Sequence, residues 1–474
     1  MRSDDTQSEG LVFDQNGGLV DLGAELRALL GLAIPVALSE IGWMTMSIVD
    51  VIMVGRLGAA AIGAVGLGNA IYYAPAVFGI GLLLGLDTMV SRAWGARDFT
   101  QCHRWLAQAM YIVLAFTPVL MLFMVIARLL FTAHGVDSLV AVYTRSYVGI
   151  LNWGTFPLLV YGGFRRYLQG EGLVRPVTFA LISANLVNLA GNWLFIYGKL
   201  GMPAMGVNGS ALSTVVSRIY MAAVLMYVAW RHERGRGHRL FAHWPGPDWG
   251  RIRVLMNLGI PAASQIILEM AAFGAVTIMA SHLDPVALAT HEIALSCAAY
   301  TFMVPLGISA AAAVAVGHAI GAGNLARATR AGWMAVGLGI GFMSLTAAAF
   351  LLVPRPIIEI YSRDPQIISM GVRILMLVAA FQIFDGCQTV ATGALRGLGE
   401  TRFPMLTNFA GYWLFGLPLG AILCFHFKWG LQGLWLGLTV ALIAIASLLL
   451  RRWRGGRLHA PGKPESAMKQ DVTA

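Results

Sequence analysis

Glu269 and Asp385 are the residues most suited to chemistry, because the sequence around them offers no water. Glu269 lies in Leu268-Glu269-Met270 and Asp385 in Phe384-Asp385-Gly386, each about halfway along a long apolar run. An ionisable side chain at such depth costs on the order of 3 kcal/mol on insertion scales, so one that is kept there is a functional candidate. Acids in an apolar space can exchange protons near neutral pH, and a cationic ligand in the same space would compete with the proton for the carboxylate.

A third acid, Asp50, sits nearer the end of its run, five residues before Gly55. Asn188 and Asn192, four apart and therefore on one helical face, are its natural partners. An aspartate with two amide oxygens can hold a proton in a hydrogen-bond network, or it can coordinate a small hard cation such as sodium. Asp50, Asn188, Asn192, Glu269 and Asp385 are thus the candidate ion-coupling residues, the first three also as sodium ligands. Aromatic faces attract organic cations and methionine adapts to varied shapes. Trp43, Met270, Phe273, Tyr300 and Phe381, with Tyr72 and Trp413, are candidates to line a substrate cavity together with Glu269 and Asp385. Arg218 lies deep in its run and needs a partner that the sequence does not identify.

The elements that must carry these residues are membrane helices. Hydrophobic residues make up 58% of the chain and charged residues 12%, about half the charge of an ordinary soluble domain, and the mean hydropathy is +0.71. Twelve apolar runs occur near 27–53, 60–88, 104–131, 143–168, 176–198, 208–230, 254–280, 286–316, 329–353, 369–395, 404–425 and 431–450. Each is long enough to cross a hydrocarbon core of roughly 30 Å as a helix. Helices are expected because every backbone amide must be satisfied without water. Pro75 and Pro305, in mid-run, predict kinks in the second and eighth helices.

The twelve runs are two copies of six. At a shift of 226, Leu32, Ile34, Pro35 and Ala37 fall on Leu258, Ile260, Pro261 and Ala263, and Ile52-Met53 falls on Ile278-Met279. Gly81, Val90, Ala93 and Gly95 fall on Gly307, Val316, Ala319 and Gly321 in the same register. At a shift of 228 the fourth and tenth runs correspond, Arg145 meeting Arg373 and Pro157 taking the place of Asp385. Six helices per half give both halves one orientation, related by an axis along the membrane normal. The acids do not repeat: Asp50 corresponds to Val276, and Glu269 to Trp43.

The expected fold is all-α and integral to the membrane, with twelve transmembrane helices in two pseudo-twofold-related six-helix lobes around a central cavity. Its parts are an N-terminal tail (1–25), a first lobe (26–230), a basic linker (231–253), a second lobe (254–452) and a C-terminal tail (453–474). The net charge of +10 is distributed by side. Connections 2–3, 4–5, 6–7, 8–9 and 10–11 and the C-terminal tail hold 22 Lys and Arg residues, and the opposite connections hold 6. The positive-inside rule then places both termini in the cytoplasm, and the sidedness explains the charge without a nucleic-acid partner. The acidic N-terminal tail argues against a secretory signal. Four widely spaced cysteines suggest neither a disulfide framework nor a metal site. There is no Walker loop, dinucleotide fingerprint or HExxH, so neither an enzyme nor an organic cofactor is expected.

Three stretches resemble a known family: Ser47-Ile48-Val49-Asp50-Val51-Ile52-Met53-Val54-Gly55-Arg56-Leu57-Gly58, then Thr290-His291-Glu292-Ile293-Ala294-Leu295 with Phe302-Met303-Val304-Pro305-Leu306-Gly307, and Gly393-Ala394-Leu395-Arg396-Gly397. With them the chain resembles the multidrug and toxic compound extrusion (MATE) family over roughly 25–450, most closely its bacterial NorM-type branch. The resemblance implies two lobes with a V-shaped cavity, exporting cationic amphiphiles against an inward flow of protons or sodium. It matches the family's coupling acid and asparagines to Asp50, Asn188 and Asn192, its deep second-lobe acids to Glu269 and Asp385, and a further acid to Asp364. Where some sodium-coupled members carry a tyrosine one turn before the last deep acid, this chain has Phe381, which lacks the hydroxyl.

These readings combine into a monomeric antiporter of the bacterial inner membrane, exporting organic cations and other amphiphilic drugs for protons by alternating access. Sodium-coupled exchange is the alternative. A flippase for a lipid-linked precursor, which would need a basic cavity, stands behind both.

Overall fold

The computed structural model describes residues 21–131, 138–235 and 244–455. Most of both tails and the centre of the basic linker, with Arg236, Arg239, Arg457, Lys463 and Lys469 of the positive-side count, lie outside the described residues.

The first half of the chain forms α1 (Leu22–Gly55), α2 (Ala59–Leu82), α3 (Leu84–Gly95), α4 (Phe99–Phe131), α5 (Ser138–Asn152), α6 (Thr155–Gly170), α7 (Val174–Tyr197) and α8 (Val207–Gly235). The second half forms α9 (Trp249–Ser281), α10 (Pro285–Gly321), α11 (Leu325–Leu352), the short α12 (Pro354–Glu359), α13 (Pro365–Gly397), α14 (Arg402–Phe409), α15 (Leu417–Ala421) and α16 (Leu431–Gly455). No strand occurs among the described residues. Eleven helices or helix runs among them are long and apolar enough to cross a membrane, and the protein is a multi-pass membrane protein.

The expected fourth span is the exception, and its own residues explain why. It is broken at Trp153-Gly154 into α5 and α6, of 15 and 16 residues. Pro157 lies in the first turn of α6, where its missing N–H leaves no bond unmade; in an unbroken helix it would remove one and clash with the turn before. In the second lobe the same place is Asp385, and α13 runs through it without a break. α2 continues through Pro75, and the helix breaks at Leu83, between α2 and α3. α10 continues through Pro305. The eleventh span alternates between α- and π-helix, with π-helical turns at Ala410–Gly416 and Ile422–His426. The first of these precedes Pro418, whose ring would crowd the carbonyl one turn earlier in a regular helix.

Two large hydrophobic cores, with a small cluster of Val36, Val174 and Ala310 between them, divide the helices into two lobes. One gathers side chains from the second half of α1 through α8, and the other from α9 through α16. The first halves of α1 and α9 are exchanged: Leu29 and Ala33 belong to the second core and Leu255 to the first. α1 packs along α10, and α9 along α2 and α3, so each lobe reaches across the boundary that the sequence places at residue 253.

The contact between the lobes repeats under the 226-residue shift. A methyl group on Gly81 would stand 2.7 Å from Ala263 Cα, and one on Gly307 would stand 2.6 Å from Ala37 Cα, so in both places the backbones meet where a side chain would not fit. Farther along, Gly95 abuts the carbonyl of His318 while Gly321 abuts that of Arg92, again a matched pair. Small residues are what bilayer helices use to approach closely, because lipid provides no hydrophobic drive to bring them together. The register makes the interface isologous, each lobe offering the same patch to the other.

These contacts lie towards the end of the molecule that holds most of the arginines. Asp87, 1% exposed, accepts from Arg166 Nη1 at 3.2 Å and faces Arg396 Nη2 of the other lobe at 4.0 Å. Beside it Thr88 Oγ1 donates across the lobes to the Arg396 carbonyl at 2.7 Å, and His318 Nε2 meets the Gly170 carbonyl at 2.7 Å. Arg165, Arg166 and Arg396, counted by sequence among side-marking charges, are therefore buried parts of the fold.

At the same end α9 begins on Asp248, which accepts from the Arg251 backbone N–H at 3.2 Å and from its Nε at 3.0 Å. That backbone bond, joined by the guanidinium, holds the Asp248 carboxyl below the ordinary carboxylate range. A lowered value contributes stability above the unfolded value near pH 4 and loses it as pH falls further. Asp248→Ala is expected to lower the melting temperature by about 1–2 °C at pH 7, the size of an ordinary cap. A smaller loss is expected at pH 3, and scanning fluorimetry in detergent at both pH values checks this.

Candidate functional site

In the first lobe, Asp50 is buried at 4% exposure between α1, α7 and α8. Asn192 Nδ2 donates to Asp50 Oδ1 at 2.6 Å and to Asn188 Oδ1 at 3.1 Å. The structure thus brings together the three residues read from sequence. It adds Thr214, whose hydroxyl donates to Asp50 Oδ2 at 3.1 Å, and Ser213, which donates to the Asn188 carbonyl at 2.8 Å. The signal for both was present: Ser210, Ser213, Thr214 and Ser217 recur at the spacing of one helix face. Asn192 Oδ1 is buried and has no hydrogen-bond partner.

Arg218 stands one turn beyond Thr214, near enough for Asp50 to feel its charge. Its partner is Tyr72, which accepts from Arg218 Nη1 at 2.7 Å and presents its ring 4.6 Å from the guanidinium. Gly154, at the break between α5 and α6, leaves the room: a methyl there would come within 3.0 Å of Arg218 Nη1. The broken fourth span therefore seats the arginine. Tyr72, 3% exposed, belongs to this network and not to a cavity wall.

In the second lobe α9 supplies Glu269 and α13 supplies Asp385, close enough for Asp385 to feel the charge of Glu269. Gln388, one turn after Asp385, donates to Glu269 Oε1 at 3.2 Å. The π-helical turn Ala410–Gly416 delivers two further groups, Trp413, which the sequence offered as a cavity residue, and Tyr412, which it did not. Trp413 Nε1 donates to the Leu268 carbonyl at 3.0 Å. The buried Tyr412 hydroxyl lies beside Glu269, short of a well-formed hydrogen bond. A hydroxyl is thus present in the second lobe, from a helix other than the one on which Phe381 replaces it. π-Helical turns are frequent at functional sites because they re-aim side chains.

The aromatic candidates separate. Phe381, 1% exposed, packs edge-on against Phe273 at 6.0 Å and Trp435 at 5.5 Å, which places it in the second core and not on an open wall. Phe273 is half-buried against that core. Trp43 is half-buried and stacked on Tyr161, above an ion pair of Glu40 with Arg165. Met270 is half-buried and Tyr300 is 41% exposed. Asp364 is remote from the deep acids: it is the exposed N-cap of α13, bonded to the Gln366 N–H at 2.8 Å. It lies 21 residues before Asp385 on the same helix, about 30 Å away at the ordinary rise. A groove of about 840 Å³ between the first half of α1 and α10–α11 is lined by Leu26, Ile34, Ile308 and Phe342, and it holds none of these acids.

The family is settled by comparison. The model of the MatE family matches residues 35–194 and 261–422, once on each half of the chain. The chain belongs to the MatE family. Among curated relatives, the probable multidrug resistance protein NorM of Mesorhizobium japonicum is 35% identical over 448 residues, covering 92% of this chain and 95% of the relative. The multidrug resistance protein MdtK of Yersinia pseudotuberculosis is 31% identical over 440 residues, covering 91% and 95%. The fold matches solved MatE-family structures. One described as the eukaryotic MATE transporter AtDTX14 gives a TM-score of 0.80 at 21% identity, covering 90% of this chain and 94% of that one. An outward-facing multidrug resistance MATE family transporter gives 0.82 at 19% identity, covering 95% and 97%.

Thr214→Val keeps the side-chain shape of this MatE-family member and removes one donor from Asp50. A hydrogen bond to a charged group contributes roughly 1.5–3 kcal/mol. With Asp50 in the ion-coupling role proposed below, the ion concentration at half-maximal transport is expected to change by about 10- to 100-fold, read from flux against ion concentration in liposomes.

Proposed function

We propose that the chain is a secondary multidrug antiporter of the bacterial inner membrane, with both termini cytoplasmic. It exports organic cations and other amphiphilic drugs in exchange for protons, acts as a monomer, and carries out no chemistry on its substrate. Membership of the family and the names of the relatives support drug export, and the uneven placement of lysine and arginine supports the orientation.

The observation that carries the choice of ion is the direction of the hydrogen bonds at Asp50. Asn192 and Thr214 both donate into the carboxylate, and Arg218 adds a fixed positive charge nearby. Donors and a cation hold the carboxylate ionised until the amide turns over to accept from the protonated form, whereas a sodium ion needs several oxygens turned towards it. When Asp50 takes the proton, turning over the Asn192 amide offers Oδ1, now without a partner, to the new O–H. Sodium remains the alternative because the same turn would aim Oδ1 of Asn192 at a cation held by Asp50 and Asn188. Arg218, the one feature that favours a lipid-precursor flippase, is already engaged by Tyr72 inside the lobe.

Glu269 and Asp385 form the second site, where a drug's positive charge and a proton compete. Exchange then follows alternating access: protonation from outside releases the drug, and loss of the proton inside restores the carboxylates that capture the next one. The test is purified protein in liposomes, with flux of a fluorescent organic cation measured under a pH gradient and separately under a sodium gradient. Flux driven by the pH gradient alone is expected. Flux that follows only sodium would move the reading to the alternative.

A further inference from the structure

At the arginine-rich end of the first lobe, apart from both acid sites, metal-ligating side chains from two segments converge. Glu171 lies in the turn between α6 and α7, and His232 and Glu233 lie in the last turns of α8. Each offers one ligand atom, and the three atoms lie within 4.8 Å of one another. His232 Nε2 stands 3.6 Å from Glu171 Oε2, near the roughly 3.4 Å edge of a tetrahedron whose metal–ligand bonds are about 2.0–2.1 Å.

The carboxylates are deep, Glu171 at 4% and Glu233 at 1% exposure, and their depth together with an imidazole in the set distinguishes the group from a solvated acidic patch. Glu233 is held from two sides: Tyr167 donates to Oε1 at 3.1 Å, and His103 Nε2 meets Oε2 at 2.7 Å. The arginines on either side of the pair in α8 turn elsewhere, Arg231 to the Tyr227 hydroxyl at 3.4 Å and Arg234 over the Trp230 ring at 5.4 Å. Two buried carboxylates thus lie close together with imidazoles beside them, a donor set that a divalent ion would complete. The His103 and His232 side chains are 18% and 23% exposed, which gives an ion a path in.

We propose that Glu171, His232 and Glu233 form a binding site for a divalent transition-metal ion, with zinc the best fit. Two carboxylates and an imidazole suit its borderline character, and three protein ligands leave a fourth position for water. His103 and Tyr167 are positioning residues that orient Glu233. The ion ties the end of α8 to the α6–α7 turn, inside one lobe, and so stiffens that lobe without bridging the two.

The test uses the full-length chain in detergent, purified without a polyhistidine tag and stripped with EDTA, titrated with zinc chloride against a chromogenic chelator. One zinc per chain is expected at micromolar or tighter affinity, weakened at least tenfold in Glu171→Gln and in His232→Gln. X-ray absorption should give a shell of nitrogen and oxygen at about 2.0–2.1 Å. His232→Gln alters a partly exposed side chain, and monodisperse elution of each variant separates loss of the site from loss of the fold. Absence of stoichiometric binding by the unaltered protein would overturn the proposal, as would binding that persists in the double variant.

Discussion

Asp50→Asn is expected to reduce gradient-driven drug flux at least tenfold, to the level of uncoupled leak, while drug binding in detergent stays within about threefold. The substitution preserves shape and hydrogen-bonding capacity: the new amide can still accept from Thr214 and satisfy Asn192 by turning over. It removes the ability to change charge. Coupling requires that the ion prefer one conformation over the other, because equal affinities shift no population, and driving a two-state protein from 1:99 to 99:1 takes about 10⁴-fold discrimination. An amide that binds no proton supplies none of it. Normal binding of a fluorescent cation beside lost flux would assign Asp50 to coupling and leave recognition to the second lobe. If Asp50→Asn kept its flux while Glu269→Gln and Asp385→Asn lost theirs, coupling would belong to the second lobe instead. The membrane potential offers a further check. One net charge moved across 100 mV is worth about 2.3 kcal/mol, yet exchange of one proton for one monovalent drug moves none, so flux at that ratio should not respond to the potential.

Much of the architecture was legible because hydropathy and the duplicated register are properties of long stretches. The glycine and alanine matches at the 226-residue shift carry little weight as sequence, since the chain is rich in both. In three dimensions Gly81, Gly307, Ala37 and Ala263 are the interface itself, and the repeat persists there because only small residues let the lobes meet. Asp50, Asn188 and Asn192 could be grouped because two lie on one helix face and the third is a rare buried acid. Tyr412 could not, because it reaches Glu269 from a π-helical turn that has no hydropathic signature. The division into lobes was blurred at α1 and α9, whose first halves pack on the opposite core. That exchange is a matter of crossing geometry, which a linear pattern does not encode. Phe381 could not be assigned to core or cavity from sequence for a related reason, as a bilayer helix offers aromatic residues to both with the same pattern.

Asp87→Ala should have the largest effect on conformation, because it removes the anion held between two buried cations of different lobes. Arg166 and Arg396, 8% and 9% exposed, would then face each other with Asp87 gone. Breaking a buried ion pair by deleting one partner typically costs about 3–5 kcal/mol. Much of that cost disappears when Arg396 moves away with its lobe and reaches water, so the substitution favours the form in which the lobes part at this end. A bias of 3 kcal/mol changes a two-state ratio by roughly 150-fold. Nitroxide labels at Ala96→Cys and Ala322→Cys would report it, since both sites are exposed beside the abutting ends of α3 and α10 and the four native cysteines are buried. Double electron–electron resonance should give a short, narrow distance with Asp87 present and a longer, broader one in Asp87→Ala. Gly81→Leu tests the same closure without touching a charge, by placing bulk against the Ala263 backbone. A spectrum unchanged in both variants would mean that this end of the molecule does not open, and that the acid sites exchange their ligands by another route.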